Sequence, residues 1–155
     1  MVIHAELADP RHPDVRELLL SGHTAMQGLF PAKRQVPISI ESLQTDGVHV
    51  FVARAEGRAV GCCALFLSGA FAELKKLYVA PESRRQGTAD QLVAHAEAFA
   101  KAAGFEELKL ETGVTLSVAH RLYAKRGFTR CEAFGDHLPS SESQFMTKSL
   151  VKQAT

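Results

Sequence analysis

Between an apolar run that ends at Val79 and an amphipathic run that begins at Thr88, the chain reads Arg84-Arg85-Gln86-Gly87-Thr88-Ala89. Two arginines, a glycine and a helix start suit the binding of a phosphorylated ligand. The first turn of a helix leaves about four amide N–H groups without internal partners. The helix dipole adds about half a positive charge at that end, and a pyrophosphate seated there accepts those bonds. Gly87 lets the backbone come close because it has no Cβ. Ala89 keeps the next contact small, and Arg84 and Arg85 can add charge-assisted bonds. The competing reading is a solvated basic loop with a helix-entry glycine. A Walker loop is excluded, since no lysine follows Gly87.

The remaining reactive side chains narrow the chemistry. Among the seven histidines, none has the H-E-x-x-H spacing of a metal site. The three cysteines are odd in number, and Cys62 and Cys63 are neighbours without C-x-x-C spacing. Neither a disulfide framework nor a zinc site is expected, and a reducing cytoplasm is the natural setting. Cys62 and Cys63 fall in an expected strand, where small buried thiols are common, so a covalent cysteine mechanism is not expected. His120 lies one helical turn before Tyr123 and shares its face.

The elements that position these residues follow from pattern. Val2 to Leu7 alternates as a first strand. From Asp14, Val15, Leu18, Leu19, Ala25 and Met26 follow helical spacing to about Gly28, and Ile38 to Leu43 suggests a second short helix. Val48 to Ala55, Ala59 to Leu67 and Phe71 to Val79 read as three strands, the first two joined at Glu56-Gly57. A helix is expected from Thr88 to Ala103, stopped by Gly104. Leu108 to Thr112 is a strand and Ser117 to Arg126 a helix. Phe128 to Phe134 and Phe145 to Leu150 complete the set. Residues 71–112 form a strand–helix–strand crossover, which implies parallel pairing of its two strands.

Size and charge exclude other classes. A chain of 155 residues has the usual length of one domain. Apolar residues are 46% and charged residues 23%, near the soluble average. A formal net charge of +1 offers no field for nucleic acid or an anionic membrane. No apolar run approaches the ~20 residues that span a bilayer, and no signal peptide is expected.

Three motifs, taken together, resemble the GCN5-related N-acetyltransferase superfamily. Arg84-x-x-Gly87-x-Ala89 is similar to its Arg/Gln-x-x-Gly-x-Gly/Ala signature. Leu77-Tyr78-Val79-x-Pro81 resembles its fourth strand and exit. Ala119-x-x-Leu122-Tyr123-x-x-x-Gly127-Phe128 resembles its Ala-x-x-Leu-Tyr-x-x-x-Gly-Phe segment. The resemblance spans nearly the whole chain and is weakest over residues 1–47. The tail, Phe134-Gly-Asp136-His-x-Pro and Ser143-x-Phe145-Met146-x-Lys148-x-Leu150, looks like a branch of small bacterial members.

The resemblance implies a single α/β domain over residues 1–155. It implies a mixed sheet of about six to seven strands with about four helices, in the order β-α-α-β-β-β-α-β-α-β-β. It further implies acetyl-coenzyme A as co-substrate, no metal, and direct attack by an acceptor amine on the thioester. Leu77, Tyr78 and Val79 would meet the pantetheine arm, Leu77 and Val79 through their backbone. One of those amides would polarise the thioester carbonyl. Arg84, Arg85, Gln86, Gly87, Thr88 and Ala89 would hold the diphosphate, with Ser117, His120 and Tyr123 on the coenzyme's other side. Many members carry Asn near the start of the Tyr123 helix. Here that region reads Thr115-Leu-Ser117-Val, so a hydroxyl would have to replace the amide.

Tyr123 matches the tyrosine that protonates the departing thiolate; a phenol with a pKa of about 10 is protonated at neutral pH. The acceptor amine must also lose a proton. Glu73 stands at the offset from Arg84 that resembles a general-base glutamate; its alternative role is an ion pair with Lys75. Glu111 and His120 are further candidates for the base. The acceptor site would draw on residues 21–37, where His23, Met26, Gln27, Phe30, Lys33 and Arg34 occur, and on the final strands with His137 and Ser143. Lys33 and Arg34 either attract a carboxylate on the acceptor or are exposed loop charges. Three activities fit: a small-molecule N-acetyltransferase, a protein acetyltransferase acting on lysine or an N-terminus, and an acyl-coenzyme A sensor without turnover. A homodimer is a further expectation carried by the resemblance.

Overall fold

The computed structural model describes residues 2–29 and 39–151. The first strand, β1 (Ile3–Ala8), precedes helix α1 (Pro13–Leu29). Three long strands follow as a meander: β2 (Val48–Ala55), β3 (Arg58–Ser68) and β4 (Phe71–Val79). Helix α2 (Thr88–Ala102) crosses over to β5 (Glu107–Gly113), and α3 (Ser117–Lys125) leads to β6 (Thr129–Cys131) and β7 (Ser143–Ser149). The seven strands lie in the order β1-β2-β3-β4-β5-β7-β6. All pairings are antiparallel except β4 with β5, which is parallel as the crossover implies.

Two cores sandwich this sheet. Leu92, Val93, Ala96 and Ala100 of α2 pack with Tyr123, Phe51, Cys63, Leu65, Ala72, Leu74, Leu108 and Leu110 on one face. Val15, Leu18 and Leu19 of α1 pack with Val50, Val52, Cys62 and Ala64 on the other. The small residue Gly61 sets the seat of α2. A Cβ there would stand 3.0 Å from Thr88 Cγ2 and 3.1 Å from Leu92 Cδ1, so any larger residue requires those side chains to give way by a few tenths of an ångström.

The expected second helix is a single 3-10 turn, Glu41–Gln44; Ile38 lies outside the described residues. Ser39 Oγ accepts the Ser42 amide at 3.2 Å, and Asp46-Gly47 allows no further turn. Three α-helices and two 3-10 turns therefore accompany the sheet among the described residues, the other turn being Pro81–Ser83. The expected strand over Phe128–Phe134 shortens to Thr129–Cys131. Phe128 is held by its amide on the Tyr123 carbonyl at 2.9 Å, and Phe134 turns into an aromatic cluster.

One charge network fixes α3. Glu97 of α2, largely buried, accepts Arg126 Nε at 2.5 Å and the Lys148 ammonium; Arg126 Nη1 also reaches Asp90 at 3.0 Å. Removing the carboxylate strands two half-buried cations. Glu97→Gln is expected to cost about 2–3 kcal/mol, less than a fully buried pair because both cations still reach water. Urea unfolding measures it, and an unchanged midpoint would show that the network contributes nothing.

Candidate functional site

A gap opens where β4 and β5 part. Their pairing runs only through Ala72↔Leu108, Glu73↔Lys109 and Leu74↔Leu110. Beyond it β4 continues along β3, and β5 along β7. The edges that face each other past Leu74 and Leu110 are left without a strand partner, and main-chain groups of that kind need a hydrogen-bonding partner or water.

A bulge in β4 accompanies the parting. Ala64 pairs with Lys75 but Cys62 with Tyr78, so β4 carries one residue more than β3 there. Lys76 takes up the excess at φ +62°, an unusual conformation for a residue with a Cβ. The bulge reverses the alternation of side chains. Leu77 therefore joins the core under α2, and Tyr78 joins the core under α1. Leu77 and Val79, expected to offer backbone to a ligand arm, both lie along the unpaired stretch. Burial lowers the Lys76 ammonium pKa, with Lys75 adding repulsion.

The basic loop delivers an open helix end. Gly87 is the N-cap of α2 at φ +81°, and nothing lies within 4 Å of where its Cβ would be. The amide of Gln91 is the first to bond back into the helix, to the Gly87 carbonyl at 3.0 Å. Among the described residues, the amides of residues 85–90 meet no acceptor. Arg84 Nε donates to the Val79 carbonyl at 3.0 Å, and its guanidinium lies 5.8 Å from the Tyr78 ring centre. It thereby ties the loop to the end of β4. Arg85 and Gln86 are exposed, with Arg85 at φ +64°. Thr88 is only 1% exposed, and its hydroxyl donates to the Ser83 carbonyl at 3.4 Å. Its side chain faces inward, so only its amide belongs to the loop surface.

Ionisable groups flank the gap on both faces. On the α2 and α3 face, Tyr123 packs edge-on to Phe128 at 5.6 Å and is 6% exposed. Burial pushes its phenol pKa well above the ordinary value, with Cys63 adding a smaller push. Deprotonation is what stops a phenol from donating, so Tyr123 stays a donor to a higher pH than an exposed tyrosine. On the opposite face, Glu73 Oε2 lies 2.7 Å from His137 Nε2, and His137 Nδ1 lies 3.5 Å from Glu111 Oε1. Ser143 Oγ donates to Glu111 Oε2 at 2.5 Å. Phe134 and Phe145 hold the imidazole from 5.1 and 5.7 Å. Lys75 stands 4.0 Å from Glu73, so its expected ion pair exists at the edge of range.

His120 lies on α3, one turn before Tyr123. Its Nε2 is spent on the Gly113 carbonyl at 2.8 Å, which closes the turn from β5 to α3. Ser117 is exposed at the first position of α3, whose N-cap, Leu116, has no side-chain hydrogen bond. His23 and Gln27 lie on α1, 3.4 Å apart, and Met26 is partly exposed there; Phe30, Lys33 and Arg34 lie outside the described residues. The junction of Glu73, His137 and Glu111 was not legible from spacing, since 64 positions separate Glu73 and His137. Among the described residues, no group of three or more His, Cys, Asp or Glu side chains is placed to hold a metal ion. No described helix is long and apolar enough to cross a membrane.

A sheet split by a bulge beside an open helix N-terminus defines an acyltransferase scaffold. The chain belongs to the GNAT acetyltransferase family, whose model matches residues 13–128, and it is accordingly an N-acetyltransferase enzyme. It is 35% identical over 124 residues to an IAA acetyltransferase from Azospirillum brasilense, covering 79% of this chain and 81% of the relative. A Klebsiella pneumoniae structure assigned to the acyl-CoA N-acyltransferases superposes with TM-score 0.80 at 30% identity, covering 97% and 99% of the two chains. The PaiA N-acetyltransferase from Thermoplasma acidophilum, solved with coenzyme A, shares the fold at TM-score 0.72 and 20% identity, covering 96% and 99%.

Proposed function

We propose that this protein transfers the acetyl group of acetyl-coenzyme A to a primary amine of a small molecule, by direct attack within a ternary complex. One observation carries this reading: the gap beyond Leu74 and Leu110 has an open helix end at one side, a buried phenol on one face and a carboxylate on the other. The diphosphate binds the free amides of residues 85–90, with Arg85 and Gln86 beside it. The pantetheine arm pairs with the unpaired edge at Leu77, Tyr78 and Val79. A fixed amide at the thioester oxygen stabilises the developing oxyanion, a contribution typically worth about 3–4 kcal/mol. Glu73 takes a proton from the acceptor ammonium, whose lone pair then attacks the carbonyl carbon. The C–S bond breaks, Tyr123 donates to the departing sulfur, and the second proton of the attacking nitrogen restores the phenol. Residues 1–155 act as one domain, in a reducing cytoplasm where the buried thiols of Cys62 and Cys63 remain free.

The names of relatives support the substrates: one is an IAA acetyltransferase, and a structural neighbour was solved with coenzyme A. The two carboxylates on the acceptor face favour a cationic amine. A thiol-release assay with acetyl-coenzyme A and a panel of amines tests the proposal; binding of coenzyme without turnover on any amine or protein would mark a sensor instead.

Tyr123→Phe is expected to lower kcat about tenfold, leaving the affinity for coenzyme A within twofold. The effect stays below that of losing a base, because a thiol with a pKa of about 8.5 leaves tolerably well without a proton. Unchanged turnover would remove Tyr123 from the mechanism.

A further inference from the structure

We propose that His137 relays the proton that Glu73 takes from the acceptor, passing it to Glu111 and solvent. This rests on the function proposed above and assigns a part to a residue outside the three family motifs. His137 comes from the segment between β6 and β7. Its two ring nitrogens face two carboxylates of different strands, at 2.7 Å from Glu73 and 3.5 Å from Glu111. Their side chains remain open to solvent at 20% for His137 and 15% for each carboxylate, so a proton can leave. Phe134 and Phe145 fix the ring plane, and Ser143 fixes Glu111. An imidazole with a carboxylate on each nitrogen can accept at one and donate at the other.

The charged groups around the ring are Glu73 and Lys75 from β4, Lys109 and Glu111 from β5, and Asp136 from its own segment. Lys109 sits over the Phe71 and Phe134 rings at 5.6 and 5.7 Å, and Lys75 lies over Phe66 at 4.8 Å. Lys75 pairs with Glu73 and Lys109 with Glu107 rather than with the imidazole. The proton balance is simple. An ammonium acceptor loses two protons on becoming an amide. One ends on the coenzyme sulfur, and the other must be released. Glu73 accepts that proton, gives it to His137 Nε2, and is restored as a base; the proton on Nδ1 leaves through Glu111 to water. His137 thus acts through Glu73 and is a positioning residue rather than one that touches the acceptor.

The test is His137→Ala with added imidazoles of graded pKa. Turnover is expected to fall about tenfold, less than the hundredfold or more of a group that itself takes the substrate proton. Free imidazoles should restore it at a rate that rises with their pKa, while leaving the wild type unaffected. His137→Gln keeps a hydrogen bond to Glu73 without a relay and should be as slow, with an unchanged unfolding midpoint. In a Glu73→Gln background, removing His137 should cost nothing more. Unchanged turnover in His137→Ala overturns the relay. So does a loss that no imidazole restores, or one restored equally by all of them, since the ring then only holds its segment in place. A wild type that acetylates no amine overturns the functional reading itself, and the relay with it.

Discussion

Glu73→Gln should lower kcat/KM for the acceptor about a hundredfold to a thousandfold at pH 7, while the KM for acetyl-coenzyme A stays within twofold. An alkyl ammonium has a pKa of about 10.4, so only about one molecule in 2,500 is already neutral at pH 7. Attack therefore depends on a base at the site. Glu73 is the carboxylate that stands at the last paired residues of β4 and β5, on the face away from Tyr123. Glutamine preserves size and can still hydrogen-bond His137. The deficit should narrow as pH approaches 10, because solvent then supplies the neutral amine. A variant as fast as the wild type at pH 7 would remove Glu73 from catalysis and leave Glu111 and His120 as the remaining candidates.

Gly87→Glu should weaken coenzyme A binding by at least about a hundredfold. Its cause can be separated from strain by Gly87→Ala. At φ +81°, either side chain costs about 1–2 kcal/mol of stability, since a left-handed conformation crowds any Cβ. The Cβ of neither meets protein atoms, because the space around the Gly87 Cβ position is empty within 4 Å. Any difference between the two variants in ligand affinity must then come from what the glutamate does to the ligand. Beside a diphosphate, each added pair of like charges at about 4 Å costs about 1 kcal/mol in water and about 4 kcal/mol in a partly shielded site. Calorimetry with coenzyme A measures both variants. Wild-type affinity in Gly87→Glu would move the diphosphate away from this loop.

Much of this arrangement was readable from residue pattern. The span Val48–Ala55 and the start of α2 at Thr88 come out as expected, because alternation and a glycine stop are local signals. Glu73 and Tyr123 belong to opposite faces of the sheet. What escaped notice depends on distance or on strain. Nothing in Glu-Leu-Lys-Lys-Leu marks Lys76 for a left-handed conformation, since lysine has no preference for it. His120 shares the helix face of Tyr123, yet its ring turns to the carbonyl at Gly113. The Thr88 side chain is buried because Gly61 leaves a niche that its methyl fills, which leaves its amide on the loop surface. The partnership of His137 with Glu73 arises only when β7 docks beside β5.

The extra residue in β4 has a consequence for how this chain can change over time. Losing Lys76 would set Leu77 directly opposite Cys63, so Leu77 and Tyr78 would keep their faces while the bulge where β4 parts from β5 would vanish. Single replacements leave the bulge in place; a shortened strand does not. The length of this segment is therefore held more tightly than the identity of its side chains.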